Sequence, residues 1–135
     1  SQTARKIIRD TMTKMGFIVV EAKDGEDGLT KLEELAKQYG AALKDNLKII
    51  ISDVEMPKMD GHRLLKLVRA DDRLRETPLI LFSSLISEEM RLKGEQLGAS
   101  GQISKPEIGQ LIGLLDELVL PKYYKFRFSL RHKHQ

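Results

Sequence analysis

A chain of 135 residues, 41% hydrophobic and 32% charged, makes one soluble domain able to bury about two-thirds of its unfolded surface. It has no Cys, which excludes a disulfide framework and thiolate metal sites; nor does it carry a secretory signal or an apolar run near the roughly 20 residues needed to cross a bilayer. The net charge of +3 is local to the end of the chain: residues 121–135 hold Lys122, Lys125, Arg127, Arg131 and Lys133 without one acid, and the rest carries 18 basic against 20 acidic residues. The body is mildly acidic, so the charge does not point to nucleic acid, and cytoplasmic residence with no membrane partner is the expectation. The chain opens on Ser1 and not Met, which reads as a piece of something longer.

In chain order, Ala4, Ile8, Met12 and Met15 recur at helical spacing, with Ser1 or Thr3 as N-cap and Gly16 as the stop. Phe17-Ile18-Val19-Val20 reads as a short apolar strand. Asp24-Gly25 turns the chain into a helix with a stripe of Leu29, Leu32, Leu35 and Ala36, closed by Gly40. After a looser stretch from Ala41 to Leu47, Ile49-Ile50-Ile51 is too short for a helix and β-branched throughout, the signature of a fully buried strand. A helix after Gly61 turns Leu64, Leu65 and Val68 inward, and Thr77-Pro78 precedes the strand Leu79-Ile80-Leu81-Phe82. Ser87 is the expected N-cap of the next helix, with Glu88 and Glu89 in the first turn, where the helix dipole favours acids. That helix runs to Gly98; Gly101-Gln102-Ile103-Ser104 is a weaker strand, and Lys105-Pro106 opens a last helix through Leu111, Leu114, Leu115 and Leu118. Strands alternating with helices of this length pair in parallel through right-handed crossovers, which predicts an α/β, doubly wound, three-layer sandwich. The pattern begins on a helix, with no strand ahead of it.

Each strand after the first ends in a polar residue: Asp53, then Ser83 and Ser84, then Lys105. In a parallel sheet these ends share the edge where open α/β sheets keep their sites. A carboxylate there can act as nucleophile toward phosphorus, with a hydroxyl and an ammonium to hold the transferred oxygens. Each residue alone has a plainer reading. Asp53 is a turn acid, Ser83 and Ser84 are turn formers, Lys105 is a solvated lysine, and Pro106 is a helix starter. Their joint placement favours the site. His62 reads as a solvated helix residue, Asp60 as the N-cap of the helix after Gly61, and Asp71 and Asp72 as an exposed helix end.

Asp53-Val54-Glu55-Met56-Pro57-Lys58-Met59-Asp60-Gly61, Phe82-Ser83-Ser84 and Ser104-Lys105-Pro106 together resemble the receiver domain of bacterial response regulators over residues 1 to about 119. Within that family, Phe82 to Met90 and Lys105 to Gly109 most resemble the receivers of CheV-type chemotaxis adaptors. The resemblance implies a flavodoxin-like fold and a phosphoacceptor at Asp53, served by a histidine kinase of the CheA type within a chemoreceptor signalling complex. It implies a switch hydroxyl at Ser83, a phosphate-contacting lysine at Lys105, and Mg²⁺ held by Asp53 and the backbone carbonyl of Glu55, whose side chain a receiver can spare. It does not imply a turnover enzyme. The alternatives are a receiver-fold interaction module impaired in phosphorylation, or a phosphatase using Asp53 and Glu55 as its acid pair.

Two departures from the family pattern bear on function. Receivers begin with a strand ending in an acidic pair that binds Mg²⁺; Ser1 stands just after that place, so Mg²⁺ affinity is expected to be weak. Gln102 stands where many receivers carry a switch aromatic. The receiver-like domain is expected over residues 1–120 and an atypical basic, aromatic tail over 121–135, where four of the seven aromatics fall. Tyr124, Phe126, Phe128 and Leu130 alternate with polar residues as in a half-buried strand. An edge strand, a contact with a second chain or a disordered remnant suits that pattern better than filling a mid-sheet gap with two apolar faces.

Overall fold

The computed structural model describes residues 2–104 and 107–119. Its elements are α1 (Gln2–Lys14), α2 (Gly25–Tyr39), a 3₁₀ turn (Gly40–Ala42) leading into a one-turn helix α3 (Leu43–Asn46), β1 (Ile50–Asp53), α4 (Gly61–Ala70), β2 (Leu79–Ser83), α5 (Glu88–Leu97), β3 (Gly101–Ser104) and α6 (Ile108–Leu118). The strands form one parallel sheet in the order β1-β2-β3. Local chemistry starts the helices as expected: Asp24, Asp60 and Ser87 each accept a backbone N–H from the first turn of α2, α4 and α5, which satisfies one of the donors a helix start leaves over.

The middle strand β2 is buried along its whole length, and the alternation of a strand divides its side chains between two cores. Leu79 and Leu81 face one core with Leu32 and Ala36 of α2 and Leu64, Leu65 and Val68 of α4. Ile80 and Phe82 face the other with Ala4 and Met12 of α1, Ile103 of β3, and Leu111 and Leu115 of α6. Each fully buried Leu or Ile contributes about 1.5–3 kcal/mol relative to exposure, so β2 anchors both outer layers. The three-layer, doubly wound reading holds, and among the described residues no strand precedes α1.

Two expectations fail together. Phe17–Val20 is not a strand: Phe17 and Val19 lean on the α1 core, while Ile18 is 97% exposed and Val20 also faces out. Nor is β1 fully buried, because Ile50, Ile51 and Asp53 are all partly exposed. One cause accounts for both. In the flavodoxin-like order, the strand that precedes the first helix lies between these two segments. Among the described residues no strand occupies that place, so there Phe17–Val20 pairs with nothing and β1 pairs only with β2. The apolar patterns specify burial, and no described residue supplies the burying neighbour. The tail, residues 121–135, lies outside the described residues.

Candidate functional site

Parallel register sets the site. Asp53, the last residue of β1, is the partner of Phe82 on β2, and Ser83 is the partner of Ser104 on β3. The C-terminal ends of all three strands therefore lie on one edge, with Asp53 and Ser83 on neighbouring strands. Lys105 and Pro106, which follow Ser104, lie outside the described residues.

The turn after Asp53 is tightly determined. The Asp53 carboxylate accepts the Glu55 backbone N–H at 3.1 Å, and the Ser52 hydroxyl donates to the Asp53 carbonyl at 3.0 Å. Val54 N–H continues the ladder to the Phe82 carbonyl, and Gly61 N–H returns to the Val54 carbonyl, both at 2.9 Å. A Cβ on Gly61 would lie 2.3 Å from the Asp53 carbonyl oxygen, so only glycine lets α4 start this close to the strand end. Between them Met59 N–H donates to the Pro57 carbonyl at 2.7 Å across Lys58, whose φ is +67°. Such a conformation in a non-glycine residue costs on the order of 1–3 kcal/mol. The loop is held down by α2: a Cβ on Gly25 would meet the Met59 carbonyl at 2.5 Å, and Lys58 Nζ lies 4.0 Å from the buried Asp24 carboxylate.

Ser83 is fully buried while Ser84 is exposed. The Ser83 hydroxyl donates to Glu55 Oε1 at 2.5 Å, with the Leu85 carbonyl at 3.1 Å as the other acceptor. The Glu55 side chain, which a receiver can spare as a metal ligand, thus has a partner here. Glu55 lies beyond the end of β1, where strand alternation no longer sets which way a side chain points. The 28-residue separation of Glu55 from Ser83 hides the contact in the sequence. Gln102, at the place where the family resemblance would put a switch aromatic, donates from Nε2 to the Arg91 carbonyl at 2.8 Å and fills the space over Gly94, which ties β3 to α5.

His62 is not the solvated residue its sequence context predicts. It is buried in the first turn of α4, and its Nε2 has no hydrogen-bond partner among the described residues. Among the described residues no cluster of three or more His, Cys, Asp or Glu could hold a metal ion. The Asp53 carboxylate and the Glu55 carbonyl, the two oxygens that the receiver resemblance implies for Mg²⁺, are hard donors of the type that ion takes alongside waters. The carboxylates with clearly lowered pKa values lie elsewhere. Hydrogen bonds from Arg73 hold Asp71 and Glu33 below the usual carboxylate range, at the far end of α4 from Gly61, and Arg91 does the same to Glu88 on α5.

Residues 1–116 match the response regulator receiver domain. Chemotaxis protein CheV3 of Helicobacter pylori is 46% identical over 105 residues, which cover 78% of this chain and 34% of that protein, so the chain spans about a third of its relative's length. Vibrio cholerae chemotaxis protein CheY4 superposes with a TM-score of 0.69 at 31% identity, over 87% of this chain and 91% of that one. The receiver domain of the sensor histidine kinase PA1611 from Pseudomonas aeruginosa, solved with magnesium coordinated in its active site cleft, has a TM-score of 0.69 over 88% of this chain and 90% of that one. At 19% identity it shows the fold alone. With Asp53 and Ser83 at adjacent strand ends and the receiver match running across them, the chain belongs to the response regulator receiver domain family of two-component signalling, with chemotaxis proteins among its relatives.

Proposed function

We propose that Asp53 accepts a phosphoryl group from the phosphohistidine of a CheA-type histidine kinase, in the cytoplasm and within a chemoreceptor signalling complex. The observation that carries the reading is the register that sets Asp53 beside Phe82 and Ser83 on one sheet edge. In this reaction an Asp53 carboxylate oxygen attacks phosphorus, the P–N bond of the donor breaks as the new P–O bond forms, and the imidazole leaves with its electron pair. Gly61 keeps the space beside the Asp53 backbone clear, and the Ser83 hydroxyl supplies a donor for a phosphoryl oxygen. Lys105 is the proposed cation for another. Asp53 and the Glu55 carbonyl would hold Mg²⁺, which when bound neutralises charge on the transferred group. Two protein donors among the described residues would hold it weakly.

The test is transfer from a phosphorylated histidine-kinase domain to the chain and to Asp53→Asn. Label that moves to the first and not the second supports the reading, and equal labelling of both overturns it. One observation favours a second reading, an interaction module impaired in phosphorylation: the described residues offer no acidic cluster for a metal. That module would show no transfer at any Mg²⁺ concentration. Steady turnover of a phosphomonoester that is lost in Glu55→Ala would mark a phosphatase instead.

A further inference from the structure

The hydrogen bond between Ser83 and Glu55 gives the side chain of Glu55 a task beyond the backbone carbonyl of that residue. Ser83 has one proton to donate and is fully buried on β2. Its nearer acceptor is the Glu55 carboxylate at 2.5 Å, in the range of a charge-assisted bond, against 3.1 Å to the Leu85 carbonyl. Glu55 stands on the loop after β1, and Leu85 stands on the loop that leads to the Ser87 cap of α5. The one hydroxyl therefore ties the loop that follows Asp53 to the loop starting the next helix.

We propose that the Glu55 side chain is a latch on Ser83, a positioning residue that sets how readily the phosphorylated state is adopted. The proposal rests on Asp53 being the phosphoacceptor. A phosphoryl group on Asp53 offers the Ser83 hydroxyl a second anionic acceptor, and the proton cannot serve both. Forming the new bond means giving up the one to Glu55, and that cost is taken from the stability of the phosphorylated state. A ligand or modification shifts a two-state element only by the difference in its interactions with the two states, and the latch lowers that difference. Replacing Glu55 by alanine leaves the backbone carbonyl in place and removes only the competing acceptor.

The experiment is a double-mutant cycle on the full chain: wild type, Glu55→Ala, Ser83→Ala and the double variant. The ratio of phosphorylated to unphosphorylated protein at steady state is measured with an acyl phosphate donor and Mg²⁺. Glu55→Ala is expected to raise the ratio about tenfold, the worth of one charge-assisted hydrogen bond. Glu55→Gln, which keeps a neutral acceptor, should fall between. In the Ser83→Ala background the Glu55→Ala effect should shrink to within about twofold. An unchanged ratio in Glu55→Ala overturns the latch. So does an effect of the same size without Ser83, which would mean that the Glu55 charge acts on the phosphoryl group directly. Wild type that takes up no phosphoryl group defeats the phosphoacceptor reading, and with it the switching role. The Leu85 N–H donates to the Ser83 hydroxyl oxygen at 3.4 Å, so amide hydrogen exchange at Leu85 in the unphosphorylated protein tests separately whether Glu55 holds that hydroxyl in place: about tenfold faster exchange in Glu55→Ala supports it, and unchanged exchange overturns it.

Discussion

Replacing Gly61 by alanine sets two effects of opposite sign against each other at the functional edge. Gly61 opens α4, and inside a helix alanine is favoured over glycine by about 1 kcal/mol. Against this, the added Cβ would lie 2.3 Å from the Asp53 carbonyl oxygen, 3.0 Å from Val54 Cα and 3.1 Å from the Asp53 carbonyl carbon. All three atoms are backbone, so no side chain can swing aside, and relief requires α4 to move away from β1 by on the order of 1 Å. Overpacking of this kind costs about 1–3 kcal/mol, and the broken Gly61–Val54 backbone bond adds about 1 kcal/mol. The clash outweighs the propensity, and a net loss of roughly 1–3 kcal/mol is expected. Because the clash falls on Asp53 itself, phosphoryl uptake should fall by about 10²-fold, the usual consequence of a 1 Å misplacement at a reacting group. Gly113→Ala is the control. Gly113 lies inside α6, and nothing would stand within 4 Å of its Cβ, so propensity acts alone and stability should rise by about 0.5–1 kcal/mol. Thermal melting of both variants, with phosphoryl uptake by intact mass, decides the matter. A Gly61→Ala protein that melts no lower than wild type and takes up phosphoryl at the same rate would refute the close-approach reasoning.

His62→Leu replaces a buried ring nitrogen that has no partner among the described residues with an apolar side chain, and chemical denaturation should show a gain of about 1 kcal/mol; a loss would mean that Nε2 is satisfied in solution. Arg73 holds Asp71 and Glu33 below their ordinary range. A lowered folded pKa contributes stability above the unfolded value, near pH 4, that is lost as pH falls through the folded value. Arg73→Ala should therefore lower melting temperatures at pH 7 more than at pH 2, and 1 M salt should shrink the difference because the groups are exposed. An equal effect at both pH values would contradict this.

How far the chain's structure is legible depends on whether the deciding partner is near in sequence. Asp24, Asp60 and Ser87 cap the helices that follow them because each reaches only three residues along, to Asp27, Arg63 and Met90. β2 is legible because Leu79 to Phe82 are apolar on both faces and both faces find helices. Phe17–Val20 has as good a strand pattern, yet a strand exists only by pairing, and the pattern cannot say that no neighbour stands beside it among the described residues. His62 shows the converse case, since a polar side chain early in a helix carries no mark of being buried. The site divides in the same way. Asp53 and Ser83 are evident as strand ends, whereas the bond from Ser83 to Glu55 and the closeness of Gly61 to the Asp53 carbonyl arise only once two loops meet. The expected role of Lys105 falls outside the described residues.

The central claim is that Asp53 is a competent phosphoacceptor in this chain, with Mg²⁺ held weakly by two protein oxygens. The most direct measurement is the intact mass of the chain and of Asp53→Asn after incubation with an acyl phosphate across a range of Mg²⁺ concentrations. One phosphoryl group should appear on the wild type, increase without early saturation as Mg²⁺ rises, and be absent from Asp53→Asn. No added mass at any Mg²⁺ concentration, or the same added mass on both proteins, would contradict it.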